Sequence, residues 1–259
     1  MNISNWPYEI VNLENFPNKI FKADNTVLAN SVIACNYELL KKIKDHHEIL
    51  EIGCGKYSWL RENLNIKENW KGLEVNKSLT ENIATEFGSV HQMPYKDKSF
   101  DFILSNQSIE HWSEYNVSIQ DGLSEISRCL KENSEAHLNF PFYLHGHPDF
   151  VKGRIEKIKF ELEKFFFIKK FTAYSSTELK DYKGWRRCGF PDWYIPKNIN
   201  TSFVVNAVLK KNKNLEKYEK KRLTEIPQKR NIIFLHLRHG YLFFFWKILT
   251  YLKKKIKYS

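Results

Sequence analysis

Residues 47–55, HEILEIGCG, narrow the possible folds more than any other part of the chain. A short apolar run, Ile49 to Ile52, stops at two closely spaced glycines, as a buried strand does when it turns tightly at its carboxyl end. Gly53 and Gly55 allow that turn and let a ligand come close to the backbone, at the end of the strand where α/β folds bind theirs. The third glycine of a dinucleotide fingerprint is missing. Tyr57 and Ser58 stand where it would be sought, which points away from a nicotinamide dinucleotide.

The chain around this turn alternates strand and helix. Residues 26–47 carry apolar side chains at helical spacing. WKGLEVN offers a second strand ending at Glu74, and KSLTENIATEF a helix. FDFILSN, residues 100–106, suits a parallel strand covered on both faces. Residues 115–130 read as a helix with Leu123, Ile126 and Leu130 on one face, and EAHLNFPF as a strand that Pro141 ends. Beyond it, residues 149–166 look helical. FFIKKFTAY and FVVNAVLKK look like two strands, an antiparallel pair at the sheet edge. The pattern predicts a Rossmann-like α/β fold: a seven-stranded, mostly parallel sheet flanked by helices, with an antiparallel edge strand and right-handed crossovers. Residues 1–210 are expected to form this domain, and residues 211–259 a basic, aromatic, helical C-terminal extension. Cys35, Cys54, Cys129 and Cys188 lie far apart without CxxC spacing, which argues against a structural zinc or a disulfide framework and fits a reducing cytoplasm. The first residues include acids and lack both a basic start and an apolar stretch, so no secretory signal is expected.

Glu74 follows Gly55 by 19 residues, at the end of the next strand. A carboxylate there can accept hydrogen bonds from both hydroxyls of a ribose; the other reading is a solvated acid in a loop. GSVHQMPYKDKSFDFILSNQSIEHW, followed by EISRCLKENSEAHLNFP, resembles the class I S-adenosylmethionine-dependent methyltransferase family. Met93-Pro94-Tyr95, Ser99-Phe100-Asp101, Glu110-His111 and Arg128-Cys129-Leu130-Lys131 fall in that family's order and spacing, within residues 48–142. The resemblance implies S-adenosylmethionine as cofactor. It further implies that Glu51, Gly53 and Gly55 shape the loop under the methionine part and that Glu74 holds the ribose. Ser89 and Val90 would lie beside the adenine, and Asn106 would end the fourth strand below the methyl donor. One departure is Ser89, where the family usually has Asp; a hydroxyl bonds the adenine amine more weakly than a carboxylate does. The short interval from Glu74 to Ser89 implies a clipped helix.

Methyl transfer to a hydroxyl calls for an in-line approach and a base, and histidine titrates near neutrality. Three candidates are expected at strand ends: His111 after the fourth strand, and His145 and His147 after the fifth. His111 could instead pack at the pocket wall. The HGHPD loop could bind a metal or simply hydrogen-bond its own backbone, and no metal is expected. In GWRRCGFPDW, Trp185, Arg186 and Arg187 suit an anionic group on a substrate, which a guanidinium holds in bidentate fashion; a solvated loop is the alternative.

The chain's formal charge is +11, and it is unevenly placed. Residues 210–259 hold 15 of the 41 Lys/Arg and 3 of the 30 Asp/Glu, a balance of +12, which leaves residues 1–209 at −1. A neutral body disfavours nucleic acid as partner, since phosphate neutralisation needs a basic stripe across the domain. In residues 231–259, Lys247, Thr250, Lys254 and Lys257 share one side of a helix otherwise rich in Phe, Trp and Leu. Arg238 and Lys247 interrupt it, so it does not span a membrane. It suits peripheral association with an anionic membrane at the inner face, or packing on the domain. The expected activity is O-methylation of a small polar acceptor: a nucleotide-linked or phosphorylated sugar, or a surface-polysaccharide precursor. RNA methylation, and a catalytically silent partner-binding subunit, are the alternatives.

Overall fold

The computed structural model describes residues 8–21, 27–76, 83–142, 146–175 and 203–211. Its strands are β1 (Ile10–Asn12), β2 (Ile49–Ile52), β3 (Trp70–Glu74), β4 (Glu86–Phe87), β5 (Phe100–Asn106), β6 (Leu130–Phe142), β7 (Phe166–Ser175) and β8 (Phe203–Lys211). They form one sheet in the order β1-β7-β8-β6-β5-β2-β3-β4. Only β8 runs antiparallel to its neighbours, β6 and β7. Helices α1 (Val27–Leu40), α2 (Trp59–Asn63), α3 (Ile119–Cys129), α4 (Pro148–Val151) and α5 (Ile155–Glu163) complete the fold.

The central strands are apolar because both faces are covered, and Leu50, Ile103 and Leu104 are at most 1% exposed. Local sequence sets the helix starts. Ser58 caps α2 by accepting from the Arg61 amide at 3.1 Å, and Ser118 caps α3 by accepting from the Asp121 amide at 3.0 Å. Leu123 and Ile126 of α3 then lie fully buried against the sheet.

The sheet has eight strands rather than seven, and β7 and β8 are not its edge. Residues 10–12 pair in parallel with β7, Ile10 opposite Ala173, so the N-terminal segment forms the outer strand. Pro141 does not end β6. Pairing with β5 stops at Asn139, and Pro141 lies beyond it with only β8 beside it, where its missing N–H costs no bond to β5. The helical reading of residues 149–166 divides into α4 and α5 at Gly153, whose φ of +59° a helix cannot accommodate. Residues 77–82 lie outside the described residues, and Glu86–Phe87 pair as a strand with β3 instead of extending a helix.

The two faces of the β6–β8–β7 region differ. Leu138, Phe140, Val205, Ala207 and Phe171 make one face apolar, part of the main core. On the other, Asn139, Asn206 and Thr172 stand abreast in register, next to His137, and all four are at least 95% buried. Buried polar side chains in such a row need partners.

Candidate functional site

The turn after β2 takes the form the glycines predict. Gly53 and Gly55 have φ of +68° and +61°, and the Gly53 amide donates to Leu73 O at 2.8 Å. A Cβ on Gly53 would come within 2.5 Å of Ser108 Oγ, so both the conformation and the space require glycine. The turn borders a cleft of about 910 Å³ lined by Glu51, Gly53, Tyr57, Ser58, Asn106 and Gln107, and walled by Ile20 and Phe21 and by α1. That volume is within the roughly 300–1,000 Å³ typical of small-molecule sites.

Glu51 is 2% exposed yet hydrogen-bonded throughout. Its carboxylate accepts from Ser58 Oγ, from Trp70 Nε1 at 3.2 Å and from Asn106 Nδ2 at 2.8 Å. Burial pushes its pKa up, and the bonds from Ser58, Asn106 and Trp70 oppose that rise. Asn106 Oδ1 in turn accepts from Asn139 Nδ2, and Asn139 Oδ1 accepts from the Gln107 amide at 3.2 Å. The ends of β2, β5 and β6 are thereby tied together. Gln107 is held at φ +50°, its buried Nε2 without a hydrogen-bond partner. Cys54 is no nucleophile: burial, with Glu51 and Glu74 nearby, raises its thiol to about 12.

Glu74 is 5% exposed and braces the turn. Its Oε2 accepts from the Gly55 amide at 3.0 Å and its Oε1 from the Asn76 amide at 2.9 Å. Each oxygen keeps a second lone pair for a hydroxyl donor. Ser89 and Val90 meet Gly53 in a separate small pocket of about 30 Å³, which Val75, Ser108, Trp112 and Tyr115 complete. That is room for little more than a water or two, at about 10–15 Å³ each, less than a purine ring needs. Ser89 Oγ already meets His91 Nδ1 at 3.1 Å.

The structure sorts the histidines. His111 lies in the 3-10 helix Ile109–Tyr115 after β5, its Nδ1 2.6 Å from Glu114 Oε1 and its Nε2 3.9 Å from Glu110 Oε1. It does not line the large cleft, and stands three residues beyond Ser108 of the small pocket. His147 is the N-cap of α4, with Nδ1 accepting from the Asp149 amide at 3.3 Å, and burial lowers its pKa. Its amide donates to Glu110 O at 2.7 Å, which sets the His147 loop against the His111 segment. Asp149 is engaged by Lys157 at 2.8 Å and Arg154 at 3.1 Å. Among the described residues no His, Cys, Asp and Glu cluster could hold a metal. His145, Trp185, Arg186, Arg187 and residues 212–259 lie outside the described residues.

Several motif residues brace the site rather than enter it. Arg128 donates to Glu125, to Asp97 and to the carbonyls of Met93 and Tyr95, while Lys131 meets Asp101 Oδ2 at 2.7 Å. Sequence reasoning missed Ser58, Trp70, Gln107 and Asn139. Ser58 had a signal, as a capping serine before a helix; so did Asn139, as an amide inside an apolar strand. Gln107 had none.

Residues 50–138 match the family model described as a methyltransferase domain. Among solved structures, the MccD protein superposes with a TM-score of 0.51 at 12% identity, over 73% of this chain and 100% of its own. A SAM dependent methyltransferase from Aquifex aeolicus gives 0.45 at 14% identity, over 67% and 89%. A geranyl diphosphate methyltransferase gives 0.47 at 12%, over 78% and 88%. The likeness to the MccD protein shows the shared fold. No curated protein matches the sequence.

Proposed function

We propose that the acceptor of this S-adenosylmethionine-dependent methyltransferase, whose residues 50–138 match a methyltransferase-domain model, is a hydroxyl of a small polar molecule. A nucleotide-linked or phosphorylated sugar, or a surface-polysaccharide precursor, is the class we favour. Bound S-adenosylmethionine supplies an electrophilic methyl group on a sulfonium. The chain's part is to hold the cofactor, align the acceptor and take its proton. The glycine turn beside a large cleft, braced from behind by the Glu74 carboxylate through the Gly55 and Asn76 amides, fits the ribose and methionine portions. Ser89 and Val90 would flank the adenine.

The observation that carries the hydroxyl reading is the His111–Glu114 pair. A carboxylate 2.6 Å from Nδ1 fixes the ring so that Nε2 is the basic nitrogen. Arg186 and Arg187 are proposed to hold an acceptor phosphate, beside Trp185. A radiolabelled methyl-transfer screen over nucleotide sugars, phosphosugars and bulk RNA tests the acceptor. Label entering a sugar hydroxyl is expected, and label entering only RNA would overturn the reading.

Glu74→Ala is expected to weaken cofactor binding by about 1–3 kcal/mol, through lost ribose bonds and a loosened turn. Calorimetry with S-adenosylmethionine and its demethylated product checks this. Absence of heat from either ligand on folded wild-type protein would remove the cofactor site from this turn.

Residues 231–259 are proposed to seat the enzyme on anionic membranes, where each lysine near the surface contributes on the order of 1 kcal/mol, screened by salt. No helix among the described residues is long and apolar enough to cross a membrane. Co-sedimentation with phosphatidylserine-containing vesicles, for the full chain and for a chain lacking this segment, is the check. Binding that persists after truncation, or a truncated chain that unfolds, refutes the anchor.

A further inference from the structure

A second cavity, of about 520 Å³, lies on the polar face of β6, β8 and β7, beside the C-terminal half of α1. Residues 15–17 of the N-terminal segment line it, whereas residues 19–21 line the large cleft. Its floor holds His137, Asn206 and Thr172, each at most 5% exposed. Among the described residues, His137 Nδ1 and Asn206 Oδ1 are buried without a hydrogen-bond partner. Buried polar atoms left unmet are costly, so they mark where a ligand or water belongs.

Their chemistry selects the ligand. His137 Nε2 lies 3.2 Å from Glu135 Oε2. Glu135 is held well below the usual carboxylate range by that bond and by Lys169 and Lys42, and burial lowers the His137 pKa, which favours the neutral imidazole. Nε2 therefore donates, and Nδ1 is left as an acceptor. Asn206 Oδ1 is an acceptor too, so the occupant must bring hydrogen-bond donors, which an inorganic anion at neutral pH supplies poorly. Every lysine of the lining is already matched: Lys41 by Glu38 at 2.6 Å, Lys42 by Glu135 at 2.8 Å, Lys170 by Glu9 at 3.7 Å. An anion thus finds no uncommitted cation there, and a cation finds the lining carboxylates Glu38 and Glu9 already engaged by Lys41 and Lys170. A neutral polyol satisfies all of this. Its hydroxyls donate to His137 and Asn206 and accept from lysine, while its C–H faces lie against Phe16, Tyr37 and Tyr174.

We propose that this cavity is a binding site for a neutral sugar, separate from the methyl-transfer cleft and independent of the acceptor assigned there.

The test is calorimetry and saturation-transfer NMR on the full chain. The probes are methyl glucoside, methyl galactoside, methyl mannoside and N-acetylglucosamine. At least one probe should bind saturably and shift the His137 Nδ1 resonance. Asn206→Leu should weaken it at least tenfold. Lys41→Met, at a half-exposed position that leaves the fold intact, should weaken it severalfold. S-adenosylhomocysteine and Glu74→Ala should leave sugar binding unchanged, which keeps this outcome apart from that of the cofactor cleft. The proposal falls if no probe binds folded protein, if inorganic phosphate or choline takes the site instead, or if S-adenosylhomocysteine displaces the sugar.

Discussion

Replacing His111 by alanine is expected to slow methyl transfer by about 100- to 10,000-fold with cofactor affinity unchanged, the usual contribution of a general base. Glu114 Oε1, 2.6 Å from Nδ1, holds the ring in one tautomer, and the fully buried Glu110 side chain lies 3.9 Å from Nε2. Glu114→Gln should lower the rate less, because the ring keeps a neighbour but loses a charge. His147 has a different job. As the cap of a four-residue helix it should cost about 1 kcal/mol of stability on conversion to alanine, with turnover retained. Single-turnover rates and cofactor titrations on the three variants separate these roles. Near-full activity in His111→Ala would end the case for histidine base catalysis at this position.

The second large effect is on stability. Arg128→Ala is expected to cost about 3–5 kcal/mol, the range for breaking a buried ion pair from one side. Glu125 is 4% exposed and accepts from Arg128 Nε at 2.7 Å and Nη2 at 2.8 Å. Without the arginine its buried charge loses both of those bonds, while the Met93 amide at 2.8 Å stays in place. The same guanidinium donates to Tyr95 O at 2.7 Å and Met93 O at 3.1 Å, so the loop leading from the small pocket into β5 would loosen as well. Arg128→Lys should recover part of the loss, since one ammonium cannot reach both carbonyls and the carboxylate at once. Urea unfolding midpoints measure it. A change below about 0.5 kcal/mol, the scale of ordinary surface substitutions, would show the brace to be idle.

The parallel core was legible because its strands are short, largely apolar segments ended by glycine or a polar residue. β2, β3 and β5 begin and end where HEILEIGCG, WKGLEVN and FDFILSN place them. What escaped depends on distant partners. Residues 10–12 carry no strand signal of their own and become one only by pairing with β7. Pro141 reads locally as a stop, and whether it is one depends on where β5 ends. The glycine turn and Glu74 were readable from spacing, since strand ends and their order fix them. The network behind Glu51 was not. Ser58, Trp70 and Asn106 converge on one carboxylate from three segments, and no local pattern reports a hydrogen bond between residues 55 positions apart. The polar floor under α1 escaped for a related reason: alternation along β6 shows two faces but not which of them meets a cavity.

The parallel pairing of β1 with β7 also bears on how the chain is made. Residues 8–21 precede β7 in synthesis, so Ile10 meets its partner Ala173 only once β7 has emerged. During synthesis the glycine turn can form with its neighbouring strands long before that. The N-terminal segment walls both the cleft and the polar cavity, so neither compartment is complete on a nascent chain that has not reached β7. The nascent chain therefore has the floor of its site before it has the walls, and ligand capture is deferred until residues 8–21 have joined β7.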